Sequence, residues 1–341
     1  MQLPGGCRTT GMAILPHTDP EAAFRTIFAL DIPFWPQLPH LSFYEDMYAQ
    51  ASHNFPGIQL DVEHSRVSFD AERFYADLGD YAAEMESEEA FRLVPPYSTV
   101  YGRFLQRDLS AYTSVHGQCI GPVSFGLKIF DEDKKPIIYR DDVREILFDF
   151  MARKVNQQYR EIRQVHPRAF VWLDEPGLEM LFASYTGYPS EQAVLDYRNF
   201  LAQLEGPRGI HLCGNPDWSF LLRDLPLDIL SADVYTNGEI LIRYTKELQA
   251  FCGKRRHPEL GDHPHPHRRV AGRSRGRGRR GRPDPPLGGS LGSPGSPRRG
   301  PGVAAGPGLA GPRQVLPDQR RRCRHGGALL SAVAAHLPAF A

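Results

Sequence analysis

A parallel α/β fold, a (β/α)8 (TIM) barrel cut short of its last strands, is predicted by three observations. Short buried apolar runs alternate with helical patterns over residues 1–252. Polar residues recur at the C-terminal ends of those runs. Composition then changes abruptly after residue 252. The alternation is the signature of βα units, and the C-terminal strand ends of a barrel are where functional side chains gather.

The first run, Gly11 to Pro16, closes on His17. Asp19-Pro20-Glu21 supplies an N-cap, an N1 proline and a first-turn acid, which predicts a helix from there to Leu30. Ile32 to Pro39 reads as a proline-broken second strand and loop. An acidic, tyrosine-rich helical region spans about residues 70–92. Cys119 to Val123 is a third run, and Arg140 to Val165 a long amphipathic helix. Phe170 to Pro176 is a buried strand running into two carboxylates, Asp174 and Glu175. Gly209 to Cys213 and Ile229 to Asp233 are two more strands, and a helix ends near Phe251.

The formal net charge of zero hides a cancellation. Residues 1–252 carry 22 Lys+Arg against 36 Asp+Glu, whereas residues 253–341 carry 18 against 4. The tail holds 17 Arg, 17 Gly and 13 Pro in 89 residues, with Phe340 as its one aromatic. Such a chain buries too little apolar surface to offset the entropy of ordering, so disorder is expected. The arginine run 277–282 would suit phosphates, but that stretch has no aromatic residue for base stacking, which disfavours nucleic acid as a partner. The tail reads best as a frameshift product. Shifted one base forward, the codons permitted for residues 252–267 include Gly-Gly-Ile-Leu-Ser-Trp-Gly-Ile-Ile-Pro-Thr-His-Thr, a turn, a buried strand and the start of a helix. The histidine tract from His263 to His267 falls in the same tail and is discounted as a metal site.

With no apolar run of about 18 residues, a membrane span is not expected. Five scattered cysteines (Cys7, Cys119, Cys213, Cys252, Cys323) do not make a disulfide framework. The N-terminus lacks a secretory pattern, so a cytoplasmic setting is expected.

His211 and Cys213 lie two apart at a strand end, which puts imidazole and thiol on one face. That pair suits Zn²⁺, which takes N and S ligands; a buried cysteine beside a structural histidine is the alternative. Asp233, at the tip of the next strand, could add an oxygen ligand. Gly214-Asn215-Pro216 would keep the strand end open to a ligand. Asp174 and Glu175 suit acid/base work or an ammonium ligand, or else a helix N-terminus.

Thr9 to Thr18, Gly121-Pro122, Leu173 to Pro176, His211-x-Cys213 and Ile229 to Asp233 occur in the order seen in the catalytic domain of cobalamin-independent methionine synthase. The chain resembles the shorter relatives in the uroporphyrinogen decarboxylase/methionine synthase-like superfamily over about residues 9–252. The resemblance implies a (β/α)8 barrel in which Zn²⁺ activates a small-molecule thiol for attack on a methyl donor, such as a folate. It carries zinc ligation onto His211, Cys213 and Asp233, where methionine synthases have Glu, and substrate binding onto Asp174 and His17. Asp174 and Glu175 become the expected catalytic carboxylates. Three departures stand against the pattern. The family's substrate-contacting serine falls on Ile14; its folate-assisting N-terminal half and its last zinc-ligating cysteine have no counterpart. A uroporphyrinogen decarboxylase-like enzyme, a barrel that only binds a small molecule, and a nucleic-acid binder acting through the tail are the rival expectations.

Overall fold

The computed structural model describes residues 8–181, 188–253 and, for the backbone alone, 330–332. Along the chain come α1 (Pro20–Ile27), α2 (Met47–Ser52), β1 (Ile58–Asp61), β2 (Arg66–Phe69), α3 (Ala71–Glu84) and α4 (Thr99–Leu105). There follow β3 (Val115–Ile120), α5 (Pro122–Lys128), α6 (Asp141–Val165), β4 (Ala169–Asp174), α7 (Ser190–Ala202) and β5 (Arg208–Leu212). The series ends with β6 (Ile229–Ala232), α8 (Val234–Leu241), α9 (Thr245–Gly253) and β7 (Leu330–Ala332).

The helix start at Asp19 is built as the sequence predicts. The Asp19 carboxylate accepts from the Glu21 and Ala22 amides at 3.1 and 3.0 Å, and Pro20 opens α1. The apolar face of α1 (Ala23, Phe24, Ile27) is buried.

β3, β4, β5, β6 and β7 form one parallel sheet in that order. Two proline-interrupted segments extend it beyond β3. Ile14 bridges Gln37 and Phe34 bridges His116, both in the parallel sense. The pairing stays at single bridges because Pro16, Pro33, Pro36 and Pro39 have no amide to give a ladder. Side chains fasten these segments instead. Gln118 Oε1 accepts from the Ala13 amide (3.0 Å) and from Trp172 Nε1 (2.8 Å). His116, fully buried, lies against Phe34, Phe170 and Trp172 at ring distances of 5.2, 4.9 and 4.3 Å. Its Nε2 pairs with the Thr10 hydroxyl at 2.9 Å, and burial pushes its pKa down to about 3.

The structure shows the parallel α/β sheet that the alternation of strands and helices predicts. Among the described residues the sheet does not close into a barrel. After α9 the sequence turns to the Arg/Gly/Pro-rich tail, and Leu330–Ala332, inside a locally apolar stretch, pairs beside β6. The rest of that tail, including the histidine tract and the arginine run, lies outside the described residues.

α6 packs across β3 and β4, and all six residues of β4 are buried, as a strand covered on both faces should be. The hairpin β1–β2 pairs antiparallel, Ile58 against Phe69 and Asp61 against Arg66. Among the described residues no helix is long and apolar enough to cross a membrane.

Candidate metal centre

The register of the sheet assembles the site. Asp174 on β4 lies opposite His211 on β5, and His211 lies opposite Ser231 on β6. In a parallel sheet, residues in register send side chains to the same face, so these three form one row across adjacent strands. Cys213 follows two residues after His211 and rejoins that face. The outcome is a trio of donor atoms, one each from Asp174, His211 and Cys213, all within 4.8 Å of one another.

Backbone bonds tie the strand ends into one rim. The Gly121 amide donates to Asp174 O (2.9 Å), the Glu175 amide to His211 O (3.0 Å), and the Asp233 amide to Leu212 O (3.3 Å). His211 is held at both ring nitrogens: Nδ1 meets Ser231 Oγ at 2.8 Å, and Nε2 meets Cys213 Sγ at 3.0 Å. The loop after Cys213 is stapled to α8, where Asn237 Nδ2 donates to Cys213 O at 2.7 Å and Asn215 Nδ2 donates to Asn237 Oδ1.

Each member of the trio is electrically frustrated. Burial pushes the Asp174 carboxyl up to about 7. Burial pulls the His211 imidazole down to about 4, against the opposing charge of Asp233. Burial, with the Asp174 and Asp233 carboxylates, lifts the Cys213 thiol to about 11. Left to itself, the site favours neutral side chains; a cation would reverse that preference for all three. Asp174 is 8% exposed and its Oδ1 is buried with no hydrogen-bond partner. A buried carboxylate oxygen without a donor is costly, so this atom is placed for a ligand.

The donor set fits zinc. Nitrogen, sulfur and oxygen are its usual ligands, and three protein ligands leave a position open for substrate, the pattern of catalytic sites. Tetrahedral bonds of about 2.0 and 2.3 Å set N and S roughly 3.5 Å apart, so the His211–Cys213 contact need open by only about half an ångström. Cys213 is exposed, which leaves the open side reachable from solvent.

The other expected site residues take different places. Asp233 is outside the trio, because its carboxylate caps α8 by accepting from the Tyr235 and Thr236 amides, both at 3.1 Å. It still acts on His211 and Cys213 as a nearby charge. Glu175 is fully buried and turned to the start of α5. Its carboxylate accepts from the Val123 amide (3.2 Å), the Ser124 amide (2.8 Å) and the Ser124 hydroxyl (2.5 Å). That places a carboxylate on a helix N-terminus, where it holds the start of α5. Gly121 makes it possible, since a Cβ there would come within 2.0 Å of Glu175 Oε1. His17 pairs through Nε2 with the Thr26 hydroxyl of α1 at 3.3 Å. Ile14 packs against the core.

Two residues at the site carried no expectation. Ser231 orients His211, and its signal was available: it sits two residues before Asp233 on a strand end and so shares its face. Tyr48 of α2 has its phenol pKa raised by burial and then by the carboxylates of Asp174, Glu175 and Asp46; nothing local in the sequence points to it.

No family model matches the chain, and no curated protein matches it. Among solved structures, a methyltransferase from Methanosarcina mazei is similar with 14% sequence identity and a TM-score of 0.43, over 73% of this chain and 76% of that one.

Proposed function

We propose that the chain is a zinc-dependent, methionine synthase-type methyltransferase that moves a methyl group to a small-molecule thiol, with the metal held by Asp174, His211 and Cys213. One observation carries the reading: a nitrogen, a sulfur and a carboxylate oxygen of Asp174, a buried residue whose Oδ1 has no hydrogen-bond partner, meet at the ends of adjacent parallel strands. The sequence resemblance supplies the chemistry, a thiol acceptor and a methyl donor of folate type.

Zinc bound there would lower the pKa of a substrate thiol so that the thiolate is available at neutral pH. The chain's own residues prepare the place. Ser231 holds Nδ1 of His211, which leaves Nε2 to face Cys213 and the open side. Asp174 gives its free Oδ1. Asp233, fixed by its cap, contributes negative charge that favours a cation without leaving α8. Asn237 fixes the carbonyl of Cys213 and, through Asn215, the turn that keeps the strand end open. Glu175 anchors α5 behind the rim.

The test is metal content and thiol alkylation together. The purified protein is expected to retain one zinc per chain, to lose it in Cys213→Ser and His211→Ala, and to methylate a small thiol from a folate-class donor in a zinc-dependent way. Zinc retained in both variants, or no zinc in the wild type, sinks the reading.

A further inference from the structure

The metal site leaves one buried nucleophile without a task. Lys154, on α6, is 6% exposed and donates to Gln50 O at 3.1 Å. Burial lowers its pKa to about 7, and among the described residues no carboxylate offsets it. Glu161, two turns further along α6, is taken by Arg92 at 2.7 Å. At and above neutral pH much of the Lys154 amine is therefore uncharged, the state in which a buried lysine attacks carbonyl carbon.

Two adjoining spaces lie beside it. Lys154 lines a cavity of about 20 Å³ whose other walls include Met47, Phe91, Met151 and Val155. A pocket of about 430 Å³ lies between α4 and the segment 92–98, with the exposed Val94 and Pro95 among its walls. Leu93, Tyr101 and Glu161 line both spaces, so the two share a wall. Neither has a residue in common with the metal trio. The larger volume is that of a small-molecule site; the smaller leaves room at the amine for little more than a carbonyl group.

We propose that these spaces form a second binding site, in which the chain of a small aliphatic aldehyde lies in the larger pocket and its carbonyl carbon bonds to Lys154 Nζ as an imine. In that step the nitrogen lone pair attacks the carbonyl carbon, the carbonyl oxygen takes up both amine protons, and water leaves. The walls choose the class. Leu93, Val94, Pro95 and Leu105 offer apolar contact to an alkyl chain. Arg92 is paired with Glu89 and Glu161, and Arg103 with Glu21 at 2.6 Å, so neither is free for an anionic ligand. Carbon dioxide fits the smaller cavity by size, but it would turn the amine into a carbamate anion among apolar walls, which is costly. An imine adds carbon and no charge.

The test is reductive trapping on the full chain. The protein is treated at neutral pH with hexanal and cyanoborohydride, which delivers hydride to the imine carbon and fixes the alkyl group on nitrogen. Alkylated lysines are then located by peptide mass spectrometry. Lys154 is expected to label at least about tenfold faster than the exposed Lys128, Lys134, Lys135 and Lys246. An excess of 1-hexanol, which has the chain without the carbonyl, should slow labelling at Lys154 and not at the surface. Gly102→Leu should do the same by filling the larger pocket, since a Cβ at Gly102 meets nothing within 4 Å. Labelling of Lys154 no faster than that of the surface lysines overturns the proposal. So does fast labelling that 1-hexanol or Gly102→Leu leaves unchanged.

Discussion

Removing the Glu175 carboxylate should loosen α5 without touching the metal ligands. In Glu175→Ala, the buried amides of Val123 and Ser124 lose their acceptor. Each orphaned amide costs about 1–3 kcal/mol, for a gross loss near 3–5 kcal/mol. Burial also disfavours the carboxylate itself, pushing its pKa up to about 7, so the net loss should sit low in that range, about 3 kcal/mol. Against a total stability of about 5–15 kcal/mol, that is large. Gly121→Ala attacks the same contact from the other side, since all three atoms nearest its new Cβ belong to the Glu175 side chain. Alone it should cost about as much; in the Glu175→Ala background it should cost less than about 1 kcal/mol, a coupling of roughly 2 kcal/mol. Urea unfolding at pH 8 with constant m reads all four corners of the cycle. Zinc per folded chain should be unchanged in Glu175→Ala. A single-variant loss below about 0.5 kcal/mol, or costs that simply add, would refute the positioning role.

Three further outcomes follow from the same structure. Lys154→Met should flatten the pH dependence of stability between pH 7 and 10.5: with its folded pKa lowered to about 7 from 10.5, the wild type gains stability as pH rises through that window, by up to a few kcal/mol, and urea midpoints measured across it would show whether the slope vanishes. His116→Phe should move acid unfolding, followed by circular dichroism, to lower pH, because a histidine held near 3 instead of 6.5 loses stability as pH falls through that interval; an unshifted midpoint contradicts this. Ser231→Ala should weaken zinc roughly 10–100-fold by freeing the His211 ring, measured by competition with a chelator, while shifting the melting temperature little; unchanged affinity would show that Ser231 does not orient the ligand.

Much of the frame was legible because it is written locally. The Asp19 cap, the long helix now bounded at Asp141–Val165 and the buried run that became β4 follow from period, capping chemistry and apolar length alone. The hairpin β1–β2 was not read, although Ile58, Leu60, Val67 and Phe69 alternate. Its turn has no glycine or asparagine, and Ser65 takes the left-handed conformation (φ 50°) that usually announces one. At the site, the pairing of His211 with Cys213 was readable from a two-residue spacing. The choice of Asp174 over Asp233 was not, because it depends on the register of β4 against β5 and on whether the α8 cap claims Asp233. The contact of Glu175 with α5 is not legible for the same reason: only the fold brings the helix start to its carboxylate.

The claim that the trio is a thiol-activating metal centre is tested most directly by zinc K-edge absorption spectroscopy of the purified chain, with and without a small thiol. The account predicts bound zinc with one sulfur neighbour from Cys213, rising to two when the thiol is added, and loss of the metal in Cys213→Ser. Absence of bound zinc, or a sulfur count that the thiol leaves unchanged, would contradict it.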